Sequence, residues 1–153
     1  MDKKVTIIVP VYNAGENIEH CVQSILKQTC KDFEVFLIND GSSDESLQRI
    51  QAYEKQYPDI FKVLSHENRG VVETRHRGIQ EAKTEYIMFM DNDDFFDEDY
   101  VEVLLNEIET SKMDIVISGY RRANFEKVFF TIPSMDDEWT IYRITAPWAR
   151  IFR

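Results

Sequence analysis

The feature that most restricts this chain is an alternation of two kinds of segment. Short, nearly continuous apolar runs occur at 5–12 (VTIIVPVY), 33–39 (FEVFLIN), 61–66 (FKVLSH), 86–90 (YIMFM) and 114–120 (DIVISGY). Runs of this length, rich in β-branched and aromatic residues, suit strands buried on both faces of a parallel sheet. Amphipathic stretches separate them. Ile18, Cys21, Val22, Ile25 and Leu26 follow an i, i+3, i+4, i+7, i+8 stripe, and Leu47, Ile50, Tyr53 and Tyr57 form a second, ended by Pro58. Val101, Leu104, Leu105 and Ile108 form another, and a helix starting near Gly70 would put Val72, Arg75, Ile79 and Ala82 on one face. This order predicts an α/β domain with a mostly parallel central sheet, helices on both faces and right-handed crossovers. Beyond Tyr120, RRANF and EKVFFTI predict a hairpin, while the last twenty residues carry no assignable pattern.

The 153 residues suffice for one domain, with no linker, repeat or low-complexity segment to divide it. A net charge of −10 argues against binding a nucleic-acid backbone, which calls for a basic face. It leaves room for a small anion held by local cations or a metal. No apolar run approaches the roughly 18 residues of a membrane span. The opening MDKKVTIIVPVY has lysines before an apolar run, but the run is short, contains Pro10 and lacks a small-x-small cleavage site. It reads as a first strand. Cys21 and Cys30, if on one helix, would be roughly 13.5 Å apart along the axis, too far for a disulfide. They indicate neither an oxidising compartment nor a metal motif.

The residues just past each strand point to a site. The first run ends in Tyr12-Asn13, and the second in Asn39-Asp40-Gly41-Ser42-Ser43-Asp44. Glu67-Asn68-Arg69-Gly70 come after the third, and Asp91-Asn92-Asp93-Asp94 after the fourth. Turn and cap chemistry explains any one of these. In open α/β sheets, however, ligands bind at the carboxyl ends of the strands, and four polar strand ends together favour a site there.

The acids need sorting. From Glu85 to Glu109 there are ten Asp or Glu and no Lys or Arg. Asp97, Glu98 and Asp99 precede the 101–108 stripe, where a cap and the helix dipole favour negative charge. Asp91, Asp93 and Asp94 have no such reason. Two carboxylates about 4 Å apart repel by roughly 4 kcal/mol at an effective dielectric of 20, so either water screens them or a cation joins them. Hard oxygen ligands at this spacing suit Mg2+ or Mn2+. An EF-hand starting at Asp91 fails, because Phe95 and Phe96 stand where a ligand and a glycine belong. A phosphohydrolase of the haloacid-dehalogenase type also has an Asp-x-Asp after a strand, but uses the first strand and has Thr or Val where Phe95 stands.

Arg75 on an otherwise apolar helix face requires an anion, either a structural carboxylate, a bound phosphate or nucleotide, or Asp40. Gly70 would let backbone N–H groups approach such an anion. Asp40, followed by Gly41, reads as a ligand to a base or ribose, with an Asx-turn or helix cap as the alternative. Asp44 and the serines read as caps. Neither a Walker lysine loop nor G-x-G-x-x-G is present.

Taken together, VTIIVPVYNAGENIEHCVQSIL-x-Q, FEVFLINDGSSDES, ENRGVVETRHRGI and YIMFMDNDDFF resemble family-2 glycosyltransferases of the GT-A fold. The likeness runs from residue 4 to about 105. DIVISGY and APWARIFR resemble bacterial members that build surface polysaccharides. The resemblance implies a Rossmann-like GT-A domain, with a nucleotide-sugar half at 1–105 and the start of an acceptor half at 106–153. It implies inverting transfer from a UDP-sugar or other nucleotide-sugar to a saccharide or lipid-linked acceptor, with Mg2+ or Mn2+ as cofactor. By position, Pro10, Val11, Tyr12, Asn13, Glu16, Asp40, Asn68, Gly70, Arg75, Asp91 and Asn92 would contact the donor, and Asp91 and Asp93 the metal. His76 stands where the family often has Asn. The family's general base, an acid beyond a Trp-containing segment, would fall past Arg153. Asp136, Asp137 and Glu138 are weaker candidates. The expectation is therefore a truncated cytoplasmic module whose missing part would reach the inner membrane face, with a small protein that binds nucleotide-sugars without turning them over as the alternative.

Overall fold

The computed structural model describes residues 3–123, 128–132 and 150–153. Its elements run β1 (Val5–Val11), α1 (Ile18–Leu26), β2 (Phe33–Asp40), α2 (Ser46–Gln56), β3 (Phe61–His66), α3 (Val71–Glu81), β4 (Tyr86–Phe89) and α4 (Tyr100–Ser111). They continue as β5 (Ile115–Ile117), β6 (Tyr120–Ala123), β7 (Val128–Ile132) and β8 (Arg150–Phe152). A six-stranded sheet has the order β3-β2-β1-β4-β8-β5, and β6 pairs with β7. β1, β2, β3 and β4 run parallel, as β1 pairs with both β2 and β4 and β2 with β3.

Every residue of β1 is buried, as a central strand with cover on both faces requires. Val5, Ile7, Val9 and Val11 face one side, where α1, α2 and α4 deliver Ile18, Cys21, Val22, Ile25, Ile50, Val101, Leu104, Leu105 and Ile108. Ile8, Phe36 and Ile38 face the other side and form a smaller cluster with Leu64, Ala82, Ile87 and Phe89. Helices therefore cover both faces, three on one and α3 on the other. The first strand is the core of the sheet, and Cys21 and Cys30 are free thiols.

Two sequence expectations change. Val72, Ile79 and Val71 are exposed, at 74%, 44% and 46%. α3 instead lies on the sheet through Thr74 and Gly78. A Cβ on Gly78 would come 2.6 Å from Ile8 Cγ2 and 3.0 Å from Ile38 Cδ1. Helix and sheet approach so closely that only small residues fit, and the larger aliphatics are turned outward. The second change is β8, which lies antiparallel between β4 and β5 and keeps those two strands from pairing. The hairpin after Tyr120 is present as the antiparallel pair β6–β7.

Candidate functional site at the carboxyl edge of the sheet

Three loops after parallel strands tie themselves together at one edge. Asn13, in a left-handed conformation at φ 47°, accepts from Ser43 N through its Oδ1 at 2.9 Å, while its own N–H donates to Ser42 Oγ at 3.1 Å. Ser46 Oγ accepts from Ala14 N and Gly15 N, and Asp44 accepts from Gly15 N and Ser46 N. Asp44 and Ser46 thus serve the start of α2 and the turn before α1 together. Those bonds hold the Asp44 carboxyl below its usual range, the largest cause being Ser46. The Asx-type bond in this loop belongs to Asn39, whose Oδ1 accepts from Ser42 N.

Asp40 is 4% exposed and has found its donors inside the chain. Its Oδ1 accepts from Arg69 N at 2.7 Å and its Oδ2 from Gly70 N at 3.0 Å, with His66 Nδ1 3.4 Å away. The N–H that Gly70 was expected to offer a ligand is therefore directed at Asp40. Gly41 permits this junction. At φ 69°, a Cβ there would sit 2.5 Å from Asn68 N. Asp40 is better described as the clamp between the β2 and β3 loops than as a free arm reaching into the crevice.

The loop after β4 is balanced differently. Arg75 reaches from α3 to donate to Asp91 Oδ1 at 2.5 Å, its guanidinium lying 5.8 Å from the Phe89 ring centre. Of the anions open to Arg75, the structure supplies Asp91, not Asp40. Arg75 Nε is buried without a hydrogen-bond partner among the described residues. Asn92 Nδ2 donates to Pro10 O at 2.9 Å and joins the acidic loop to β1. Asp93 is exposed, and Asp94 is partly buried, its N–H donating to Asp91 O. Burial, then Asp93, then Asp91, push the Asp94 carboxyl up to about 6. Among the described residues, the Arg75 guanidinium thus stands against three carboxylates.

The remaining predicted residues are distributed along the same edge. Pro10 and Val11 are buried in β1, whereas Tyr12 is 51% exposed. Glu16 is exposed and lies 3.5 Å from Arg49 Nη2. Asn68 and Gly70 are exposed in the β3–α3 loop. Asp136, Asp137, Glu138 and Trp148 lie outside the described residues. Asp99, expected to cap α4, makes no side-chain cap bond. Gln28, to which the sequence pattern assigns no role, accepts from Val101 N at 2.9 Å in its place. The Q of the SIL-x-Q motif was the available signal.

Among the described residues, no group of three or more His, Cys, Asp or Glu forms a ready metal cage. The donor set nonetheless fits Mg2+ or Mn2+, which commonly take one or two carboxylates and complete their shell with water and substrate phosphates. No helix of the described residues is long and apolar enough to cross a membrane.

Comparison with known proteins accords with this architecture. The family model for glycosyl transferase family 2 matches residues 6–151. The glycosyltransferase GlyG of Streptococcus pneumoniae is 36% identical over 121 residues, covering 78% of this chain and 40% of that protein. S. aureus TarS 1-349 in complex with UDP-GlcNAc superposes with a TM-score of 0.83 at 23% identity, covering 98% of this chain and 45% of that one. The mannosyltransferase PcManGT from Pyrobaculum calidifontis, in complex with GDP-Man and Mn2+, gives 0.72 at 21% identity, covering 80% and 36%. The chain therefore spans less than half the length of these relatives. With the family pattern running from the first strand to the last, this chain belongs to glycosyl transferase family 2 and has the GT-A fold.

Proposed function

We propose that this chain is the donor-binding part of a glycosyltransferase that moves a sugar, with inversion, from a UDP-sugar or similar nucleotide-sugar to an acceptor hydroxyl in polysaccharide synthesis. The observation that carries the reading is the charge imbalance after β4, where Asp91, Asp93 and Asp94 lie together and, among the described residues, only Asp91 has a guanidinium partner, on the edge where α/β sheets bind ligands. Asp91 and Asp93 would hold Mg2+ or Mn2+, which when bound would neutralise charge developing on the leaving diphosphate. Arg75 orients Asp91 through one oxygen, leaving the other for the cation. Its Nε, without a hydrogen-bond partner among the described residues, would offer a further donor to a phosphate oxygen.

Pro10, Val11, Tyr12, Asn13 and Glu16 are assigned to the nucleoside, with the exposed Tyr12 ring offering an apolar face. Asp40 shapes the base pocket by holding Asn68, Arg69 and Gly70 in place, and Asn92 fixes the acidic loop against Pro10. Solved relatives that carry UDP-GlcNAc, or GDP-Man with Mn2+, support a nucleotide-sugar donor and a divalent cation. Activating the acceptor hydroxyl needs a general base, which the proposal assigns to a carboxylate outside the described residues. A saccharide or lipid-linked acceptor, and a cytoplasmic setting at the membrane's inner face, belong to the same proposal.

Calorimetry of UDP binding, with Mn2+ and then with EDTA, tests the reading. Binding should be stronger with Mn2+ in the wild type, and Asp93→Ala should lose that dependence. Unchanged Mn2+-dependent affinity in Asp93→Ala would remove the metal assignment.

A further inference from the structure

The anchor of the acidic loop lies some seventy residues earlier in the chain. Gln28, just past α1, is 1% exposed, and a buried carboxamide must have its hydrogen bonds made. Its Nε2 donates to Ser24 O at 3.2 Å and to Asp97 O at 2.7 Å, while its Oε1 accepts from Val101 N at 2.9 Å. Ser24 Oγ accepts from Phe96 N at 3.1 Å, and Thr29 N donates to Glu98 O at 2.8 Å. Four hydrogen bonds therefore join the end of α1 to residues 96–101.

The other end of the loop is held by β1. Met90 N donates to Ile8 O at 3.1 Å, and Asn92 Nδ2 to Pro10 O at 2.9 Å. Residues 93–95 thus form a short bridge between two anchored points. Gln28 matters doubly, because α4's own N-cap residue supplies no side-chain bond, so the same amide secures both the helix start and the loop end. A core glutamine that merely filled space would not need its amide directed at both the loop end and the start of α4.

We propose that Gln28, assisted by Ser24, is a positioning residue for the cation site at Asp91 and Asp93: its carboxamide fixes the downstream end of the acidic loop and so the placement of the two carboxylates. This rests on the reading of Asp91 and Asp93 as cation ligands. Gln28→Met keeps the side-chain length and removes all three amide hydrogen bonds. Ile50→Val, which trims the core under α2 away from the loop, serves as a control for lowered stability.

Mn2+ affinity is measured by electron paramagnetic resonance with excess UDP, alongside urea unfolding. Gln28→Met should bind Mn2+ about tenfold more weakly than the wild type, in the range set by partners that orient metal ligands. Ile50→Val should lose stability and keep its Mn2+ affinity. Should Gln28→Met fail to fold, Ser24→Ala, which loses the Phe96 bond, should still weaken Mn2+ binding about threefold, the scale of one ordinary hydrogen bond. Wild-type Mn2+ affinity in folded Gln28→Met, or an equal loss in Ile50→Val, overturns the proposal. A wild-type sample that takes up no Mn2+ removes the cation site itself, and Gln28's role with it; the wild-type titration alone identifies that case.

Discussion

Asp40 ends β2 and Asp91 follows β4, the two strands that flank β1, on the same sheet edge, yet their surroundings are opposite. Asp40 is buried and meets His66 at the end of β3 and two backbone N–H groups from the loop that follows. Asp91 meets one guanidinium among the described residues and shares its loop with two further acids, and Asp94's carboxyl is raised first by its burial and then by Asp93 and Asp91. A carboxylate at a strand end is therefore not by itself a ligand-binding group. Whether the fold has already supplied its donors decides between clamp and site.

The largest effect should come from breaking the satisfied side of this pair. Asp40→Ala leaves the N–H groups of Arg69 and Gly70 without their charged acceptor and should cost about 3 kcal/mol in urea unfolding. Asp93→Ala, at an exposed position, should change stability by less than about 0.5 kcal/mol. Equal losses in the two would erase the distinction. Gly41→Ala attacks the same clamp through the backbone. A positive φ and a Cβ driven against Asn68 N should together cost about 2 kcal/mol, read as a lower urea midpoint with unchanged slope.

A smaller effect than either clamp substitution has the opposite sign. Asp94 ionises near 3.8 when unfolded and at about 6 when folded. Because the folded chain holds this proton more tightly, the carboxyl favours folding while it is protonated. That benefit fades as pH rises from about 4 through about 6. The full shift corresponds to about 3 kcal/mol, which solvent at this partly exposed group screens to about 1 kcal/mol. Asp94→Asn in metal-free buffer should therefore stabilise the chain by about 1 kcal/mol at about pH 8 and leave it unchanged at about pH 3.5. Destabilisation at the higher pH would mean that neither burial nor the neighbouring acids disfavour the ionised Asp94.

The sheet was legible because burial on both faces leaves an almost unbroken apolar run, as in β1 and β2. The seating of α3 was not, since a stripe of large aliphatics normally marks the buried face. Here Thr74 and Gly78 admit the close approach, and Val72 is left outside. β8 escaped because its partners are more than thirty residues distant in the chain and its own strand is three residues long. At the site, residue type announced which strand ends carry polar groups. It could not announce the pairings of Asp40 with Gly70 N or of Gln28 with Val101 N, which depend on where loop backbone turns its N–H groups.

The central claim is that the acids after β4 form a local cation site rather than a diffuse negative surface. Asp93→Asn and Asp99→Asn each remove one charge from the same acidic stretch, and only the first touches the proposed site. Mn2+ titration of the UDP-loaded protein by electron paramagnetic resonance should show one bound ion in the wild type and in Asp99→Asn, and none in Asp93→Asn. Equal Mn2+ binding by the two variants would contradict the account.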